Sequence, residues 1–474
     1  MKPRIGLISF GEKRTEVYEK RKQILEEEIC RTLEILRSIF DLQEFPDLVR
    51  FEEQTPTVIS WAASYRLSGV VLHLPVYSAS ALIQTVGNEL AARGIPLLLL
   101  TNGRPDTSGL VVLLAAGGAL DQVGVSHTRI LAEPGSVETT QQLTAWATAV
   151  QTRARLRTQV LGSFGGRSIG IATTTTDPAQ VKKLFGVDIE HVDQMEIVKA
   201  AKTVDAATVQ NHVNWLISQV GKVEYDGTYV TDAKLDLQMR SYLATKHLLS
   251  CLGFDFIGVK CQPELSDGFC IQCLSHALLN DTYDADGSKP TTVCACENDL
   301  DGAITMQILK LISGGLPVNM MDTRQIDPES KTFIFANCGG MPTFFAGSGD
   351  ALQNLKNVHL VSNMVGKAGG AATQFVCAAY PEVTFARLCR HDGRYWMAVL
   401  LGQFERRPRE ILQNTTYSFP HAFARLEMDY QGFVRSFGAN HIHAVYGNYV
   451  RELEILCQLW GIEMQTYGTV KAGV

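Results

Sequence analysis

The chain reads as an α/β protein: two units in which buried strands alternate with amphipathic helices, followed by a mainly β segment. Three observations predict this. Strand-sized apolar runs alternate with helix-period stretches up to about residue 155. The alternation starts afresh after 160. Beyond about 350 the texture changes to short runs rich in Val, Thr, Phe and Tyr, punctuated by Gly369-Gly370 and Gly393.

In the first segment, 1–160, residues 3–9 (PRIGLIS) predict a strand and 14–39 a long charged helix. Strand 69–75 (GVVLHLP), helix 78–93, strand 96–101 and helix 137–155 follow, the pattern of a doubly wound parallel sheet. The basic run 153–157 (RARLR) reads as a solvated helix end, and Gly162-Ser163-Phe164-Gly165-Gly166 as a boundary. The second segment, 161–350, opens with a strand at 168–172 and a helix at 177–185. Strand 187–191, helices near 194–202 and 205–220, and the long helix 232–252 come next. Strand 254–260, helix 270–280, strand 290–296, helix 299–313 and strands 316–321 and 331–336 complete it. In the third segment, 351–474, strands at 374–378, 383–389, 394–402 and 424–429 predict an antiparallel sheet or small barrel, closed by a helix at 448–460.

Composition excludes several classes. The 474 residues are 46% hydrophobic and 19% charged, with a formal charge of −6. That balance argues against a general binder of nucleic acid or anionic membrane. No apolar run approaches the roughly 20 residues needed to span a bilayer. The opening MKPRIGLISF reads as a strand, not a signal peptide, so a cytoplasmic location is the expectation. Eleven cysteines, an odd number spread along a long chain, fit reduced thiols. Cys270-Ile271-Gln272-Cys273 has zinc-type spacing, with Cys261, Cys294 and Cys296 near in sequence. The simpler account makes these cysteines small apolar core residues on a helix.

The chemistry concentrates where the apolar run Val293–Cys296 meets Glu297-Asn298-Asp299-Leu300-Asp301-Gly302. Glu297 is costly to bury unless paired or bound to a metal. Asp299 and Asp301 suit a helix N-terminus, one capping and the other facing solvent. Twenty-five residues after Glu297, Asp322 ends the run LPVNMMD. Two carboxylates at the ends of successive strands lie where open α/β sheets bind ligands. Taken alone, an Asp at a strand end is usually a turn former. Near the C-terminus, His441 and His443 share one strand face, with Ile442 on the other. Two carboxylates and one imidazole suit a hard divalent cation such as Mn²⁺ or Mg²⁺. Gln262, Glu264 and Asp267 follow a strand, where they contact ligand hydroxyls or cap the next helix. Asn337, ahead of Gly339-Gly340, sits where backbone can approach a ligand or simply turn. Neither a dinucleotide fingerprint nor a P-loop is present, which disfavours a nicotinamide-dependent dehydrogenase.

Several motifs occur together in one order: GLISFGEKR, GVVLHLP, SIGIATTTTDP with LFGVDIEHVD, VKCQPELSD, ACENDLDGAITMQILKLISG with MMD, and NHIHAVYGNYVRELE. In these the chain resembles the L-fucose isomerase/L-arabinose isomerase superfamily, on the fucose-isomerase side, over nearly its whole length. The resemblance implies two Rossmann-like doubly wound α/β domains and a mainly β, barrel-like C-terminal domain. It also implies a homo-oligomer, a hexamer in many members. The implied activity is Mn²⁺-dependent aldose–ketose isomerisation, with Mg²⁺ or Co²⁺ as substitutes. The metal ligands it carries over are Glu297, Asp322 and His441, the two acids being also the catalytic pair. His441 fits better than His443 because it keeps the spacing to Tyr446-Gly447-Asn448. Arabinose isomerases carry a further His and a Glu as second acid. Here Phe335–Cys338 holds no His and the second acid is Asp322, as in a fucose-type site. VKCQPELSD departs from the fucose pattern and leaves the sugar open. Expected substrate contacts are Gln262, Glu264, Asn337, His443 and Arg390. A sulfonated sugar would call on Arg387, Arg390, Arg394 or Lys260. A non-catalytic sugar-binding protein of the same architecture is the alternative.

Overall fold

Strands buried on both faces read as continuous apolar runs, and Gly69–His73 and Leu97–Asn102 are buried at every residue. They lie at the centre of a five-stranded parallel sheet in the computed structural model, which describes residues 2–133, 135–363 and 365–468. The order across this sheet is Asp41–Glu44, Arg4–Ser9, Gly69–His73, Leu97–Asn102, Thr128–Ala132. Alternate residues feed two cores. Val70, Leu72, Leu97 and Leu99 meet helices Thr55–Ser64, Ser80–Ala92 and Gly109–Gln122. Val71, Leu98 and Leu100 meet helices Thr15–Ile39 and Val137–Leu156. Helix Val450–Trp460 adds Ile455 and Leu459 to the second core. This unit therefore comprises Met1–Arg155 and Arg451–Gly461. Helices Thr55–Ser64 and Gly109–Gln122 and strands Asp41–Glu44 and Thr128–Ala132 escaped the sequence reading.

The second unit comprises Leu156–Val450 and Ile462–Val474. It has its own parallel sheet, ordered Cys294–Cys296, Phe256–Val259, Val160–Phe164, Asp188–Val192. The strand expected at 168–172 is not one: that stretch turns into a short 3-10 helix, Ala172–Thr174. The real strand is Val160–Phe164, inside the stretch that its glycines made look like a linker. Gly162 is there for space, since a Cβ would lie 2.3 Å from the Phe254 ring. Gly162→Ala is expected to cost about 1–3 kcal/mol through this overlap, read as a lower thermal midpoint; an unchanged midpoint would refute the packing argument.

The remaining strands of the unit form a mainly antiparallel sheet. Its pairings run in a ring: Tyr380–His391 with His441–Tyr446, then Asn319–Asp327, Thr332–Ala336, His421–Arg425 and Arg394–Phe404, which returns to Tyr380–His391. Glu463–Thr466 adds to Arg394–Phe404. Two expectations change here. The strand carrying Asp322 belongs to this antiparallel sheet and not to the parallel one. The strand expected at 374–378 is Ala371–Gln374, and it pairs with His359–Ser362 in a separate small sheet. Burial periodicity shows that a residue faces a core, not which sheet it joins. The fold is thus mixed α/β, with parallel sheets and a mainly β C-terminal sheet.

Helix Leu300–Ile312 joins the two sheets of this unit. Every residue but Lys310 is buried, as for a helix covered all round. It packs against Cys294–Cys296 and Phe256–Val259 on one side and against Tyr380–His391 and His441–Tyr446 on the other. No helix among the described residues is long and apolar enough to cross a membrane.

Candidate active site

The chain places Glu297 by a strained turn. Strand Cys294–Cys296 ends one residue earlier, and Glu297 and Asn298 both take left-handed conformations, with φ of 59° and 51°. Such values cost roughly 1–3 kcal/mol per non-glycine residue and persist only where the surroundings enforce them. Asn298 does the enforcing. Its amide nitrogen donates to the Ser163 hydroxyl at 2.9 Å and the Gly165 carbonyl at 3.0 Å, while its backbone N–H donates to Val259. Gly258 leaves room for it, since a Cβ there would lie 2.6 Å from Asn298 Oδ1.

Asp322 and His441 are placed by register. They are Cα partners across adjacent antiparallel strands. Asp322 is therefore the fourth residue of a nine-residue strand, not a strand-end turn former. Asn440 Nδ2 donates to Asp322 Oδ1 at 3.2 Å.

The three side chains converge. His441 Nε2 lies 3.0 Å from Glu297 Oε2 and 3.5 Å from Asp322 Oδ1. Its other nitrogen, Nδ1, donates to Asp299 Oδ2 at 2.7 Å. Asp299 was legible only as a helix cap, which it is: its Oδ1 accepts from the Gly302 N–H at 2.8 Å. It is also fully buried against Arg387, whose guanidinium donates to both carboxylate oxygens, at 2.5 and 3.1 Å. Arg387, one of the cations a sulfonated sugar would call on, is 1% exposed and held by Asp299.

Electrostatics follow from this geometry. Burial pushes the Asp299 carboxyl up, but the Arg387 charge and the His441 hydrogen bond outweigh it and hold it well below the usual range. Burial opposes charge on His441, yet the Asp299 hydrogen bond and the Glu297 carboxylate 3.0 Å away raise its imidazole to about 10. Burial raises the Asp322 carboxyl against the pull of His441. His443 differs. It is fully buried, its Nδ1 lies 3.4 Å from the Ala386 carbonyl, and desolvation pushes it down to about 3. Of the two histidines, His441 is the one that faces both acids.

These residues fit a divalent cation. Two carboxylates and a nitrogen make a hard donor set. An imidazole held by a carboxylate through Nδ1 presents Nε2 in fixed orientation. Glu297 Oε2 is buried and makes no aligned hydrogen bond among the described residues. A second cluster, His212, Asp284 and Asp286, is more compact. There the Lys246 ammonium already donates to both acids, at 2.7 and 2.8 Å, and supplies the positive charge.

Other expected residues lie elsewhere. Arg390 donates to Asp301 at 2.9 Å and to the Thr175 carbonyl. Asp301, expected to face solvent, is 2% exposed and also accepts from the Tyr395 hydroxyl at 2.7 Å. Glu264 is exposed and paired with Lys260 at 2.6 Å. Gln262 is half-buried, and its backbone carbonyl accepts from Ser168. Asn337 is buried, accepting the Gly340 N–H at 2.8 Å. Arg394 is exposed. Cys270 and Cys273 are not a pair: their sulfurs lie near the carbonyls of Leu237 and Cys338, and none of the eleven cysteines forms a disulfide.

Residues 335–467 match the family model for the L-fucose isomerase C-terminal domain. A sulfoquinovose isomerase of Alkalicoccus urumqiensis is 23% identical over 256 residues, 52% of this chain and 54% of that protein. Sulfoquinovose isomerases of Priestia aryabhattai and Priestia megaterium (strain ATCC 12872 / QMB1551) are each 20% identical over 347 residues, 71% of either chain. The match to the first of these spans about half of that relative's length. The chain resembles the fucose-isomerase-like superfamily. Within that likeness, its relatives include a sulfo-sugar isomerase subgroup.

Proposed function

We propose that this protein is a metal-dependent aldose–ketose isomerase acting on a free sugar by an ene-diol route. The observation that carries the reading is His441 Nε2 facing Glu297 and Asp322 while Asp299 holds its Nδ1. Glu297, Asp322 and His441 would hold the cation, with Mn²⁺ as the expected ion and Mg²⁺ or Co²⁺ as substitutes. When bound, such an ion polarises a carbonyl and acidifies a neighbouring hydroxyl. Glu297 removes the proton alpha to the carbonyl and returns it on the adjacent carbon. Asp322, with its carboxyl raised by burial, carries the proton between the two sugar oxygens. His441 stays fixed by Asp299 and takes no substrate proton.

Deoxyhexoses, pentoses and C6-modified hexoses remain in play, and the relatives' names favour sulfoquinovose. Arg387, Arg390 and Lys260 are committed to carboxylates. Arg324, two residues beyond Asp322, has no carboxylate partner among the described residues and touches only Thr416 at 3.4 Å and the Phe419 ring. It is the cation we assign to a sulfonate head. The ring of strand pairings we read as the barrel-like domain, and a homo-oligomer as the assembly.

The test is to incubate metal-stripped protein, with and without Mn²⁺, with L-fucose, L-arabinose, D-arabinose and sulfoquinovose in D₂O, following ketose and C2 deuteration by NMR. Mn²⁺-dependent conversion of any member supports the reading. Sugar binding without metal and without turnover would favour the non-catalytic alternative.

A second expectation concerns protons. Below about pH 10 the His441 imidazole carries a proton that competes with a cation. Mn²⁺ binding should therefore release about one proton near pH 7 and weaken as pH falls. Calorimetry in two buffers of different ionisation heat reads this; heats that do not depend on the buffer would contradict it.

A further inference from the structure

A cavity of about 520 Å³ in the second unit shares no residue with the Glu297, Asp322 and His441 cluster. Its wall carries Lys356, Arg406, Arg407 and Arg409, together with His359 and the Ser348 hydroxyl. No carboxylate lines it, although the chain has 49 acidic residues against 43 basic ones. Four cations around one concavity repel each other unless acids or a ligand intervene.

The pairing of these groups shows how little of that charge is compensated. Arg407 is paired with Glu405 at 2.7 Å, which lies outside the cavity wall. Lys356 and Arg406 have neither an ion pair nor a hydrogen-bonded partner among the described residues, and both are exposed. Arg409 is half-buried, yet its guanidinium donates only to neutral oxygens: Gln374 Oε1 at 2.7 Å and the carbonyls of Gln374 and Asn357. Glu224 and Glu410 lie close enough to act on Arg409 electrostatically, but neither is ion-paired with it. Glu224 takes Lys222 at 3.0 Å, and its oxygen lies 3.9 Å from His359 Nδ1. Asp350 caps helix Ala351–Asn354 through the Gln353 N–H. A half-buried guanidinium fixed by neutral acceptors keeps its full charge directed at its surroundings.

We propose that this cavity binds a small ligand through a tetrahedral oxyanion group, phosphate or sulfonate. The volume suits a small organic molecule. Arg409 is the pre-positioned anchor, because its geometry is already set by Gln374 and Asn357. Lys356 and Arg406 are the rim charges that close on the anion. The proposal is independent of the isomerase reading and stands or falls without it.

The experiment titrates inorganic phosphate and, separately, methanesulfonate into the full-length protein at low ionic strength by calorimetry. Saturable binding of either anion is expected, and its affinity should fall at least about tenfold in the double variant Lys356→Gln/Arg406→Gln, equivalent to about 1.4 kcal/mol. Both side chains are exposed and without partners, so that variant should melt as the wild type does. Binding of phosphate alone or of methanesulfonate alone identifies the head group. Absence of saturable binding by both anions overturns the proposal. So does anion binding that survives the double substitution but vanishes in Arg324→Gln, which would place the anion at the candidate active site.

Discussion

Glu297→Gln should reduce Mn²⁺-dependent ketose formation by about 10²–10⁴-fold, the range for losing a general base, and leave the fold intact. The separation of the two effects follows from how the residue is built in. The left-handed turn at 297–298 is held by the Asn298 amide and backbone, not by the Glu297 side chain. Glu297 Oε2 makes no aligned hydrogen bond that an amide would lose. The variant keeps nearly the same volume and removes one negative charge from the pocket. Rates with the sugar identified from the panel, alongside thermal melts, measure both. Turnover like that of the wild type would remove Glu297 from the chemistry.

The largest effect on stability is expected from Asp299→Asn. The amide can still cap helix Leu300–Ile312, accepting from Gly302, so the cap survives. The charge does not. Arg387 is left 1% exposed without its counter-charge, holding only neutral acceptors, the Thr173 carbonyl and the retained Oδ1, and with its Nε already unpartnered. Breaking a buried pair by removing one member costs about 3–5 kcal/mol. In thermal terms that is a fall of roughly 5–15 °C. His441 simultaneously loses the acceptor that orients it, and metal affinity should fall about 10–100-fold. The pH dependence has a fixed sign. Asp299 has a depressed folded-state value, so its contribution is present above its ordinary 3.8 and is lost as pH falls below that. The variant should therefore lose less stability in acid than the wild type. A midpoint matching the wild type at neutral pH would contradict the whole account of the pair.

The three residues with clear chemical character were legible in the sequence, and the structure brings Glu297, Asp322 and His441 together. What supports them was not. Asp299 satisfied a local rule, helix capping, and a satisfied local rule hides any second role. Arg387 carried a signal that was passed over: it sits within Thr384-Phe385-Ala386-Arg387-Leu388-Cys389, a run buried on both faces, where a surface charge does not belong. Val160–Phe164 was lost because glycine reads as punctuation until its neighbour, Phe254, is known. The sheet membership of Asp322 was beyond reach, since apolar runs record burial and leave strand partners unstated.

The first unit is begun first and completed only near the end of the chain. Residues up to 155 form its sheet and most of its helices, but Ile455 and Leu459 come from a segment made some 300 residues later. During synthesis that apolar seam stays uncovered while residues 156–450 of the second unit emerge. A chain stopped before residue 450 would lack the cover permanently, although every strand of the first sheet would be present. Cleaving only the connection near residue 155 would not release a finished first unit, because its last piece would remain on the other fragment. Loss of the final helix is thus expected to appear first as aggregation of nascent chains, before any question of catalysis arises.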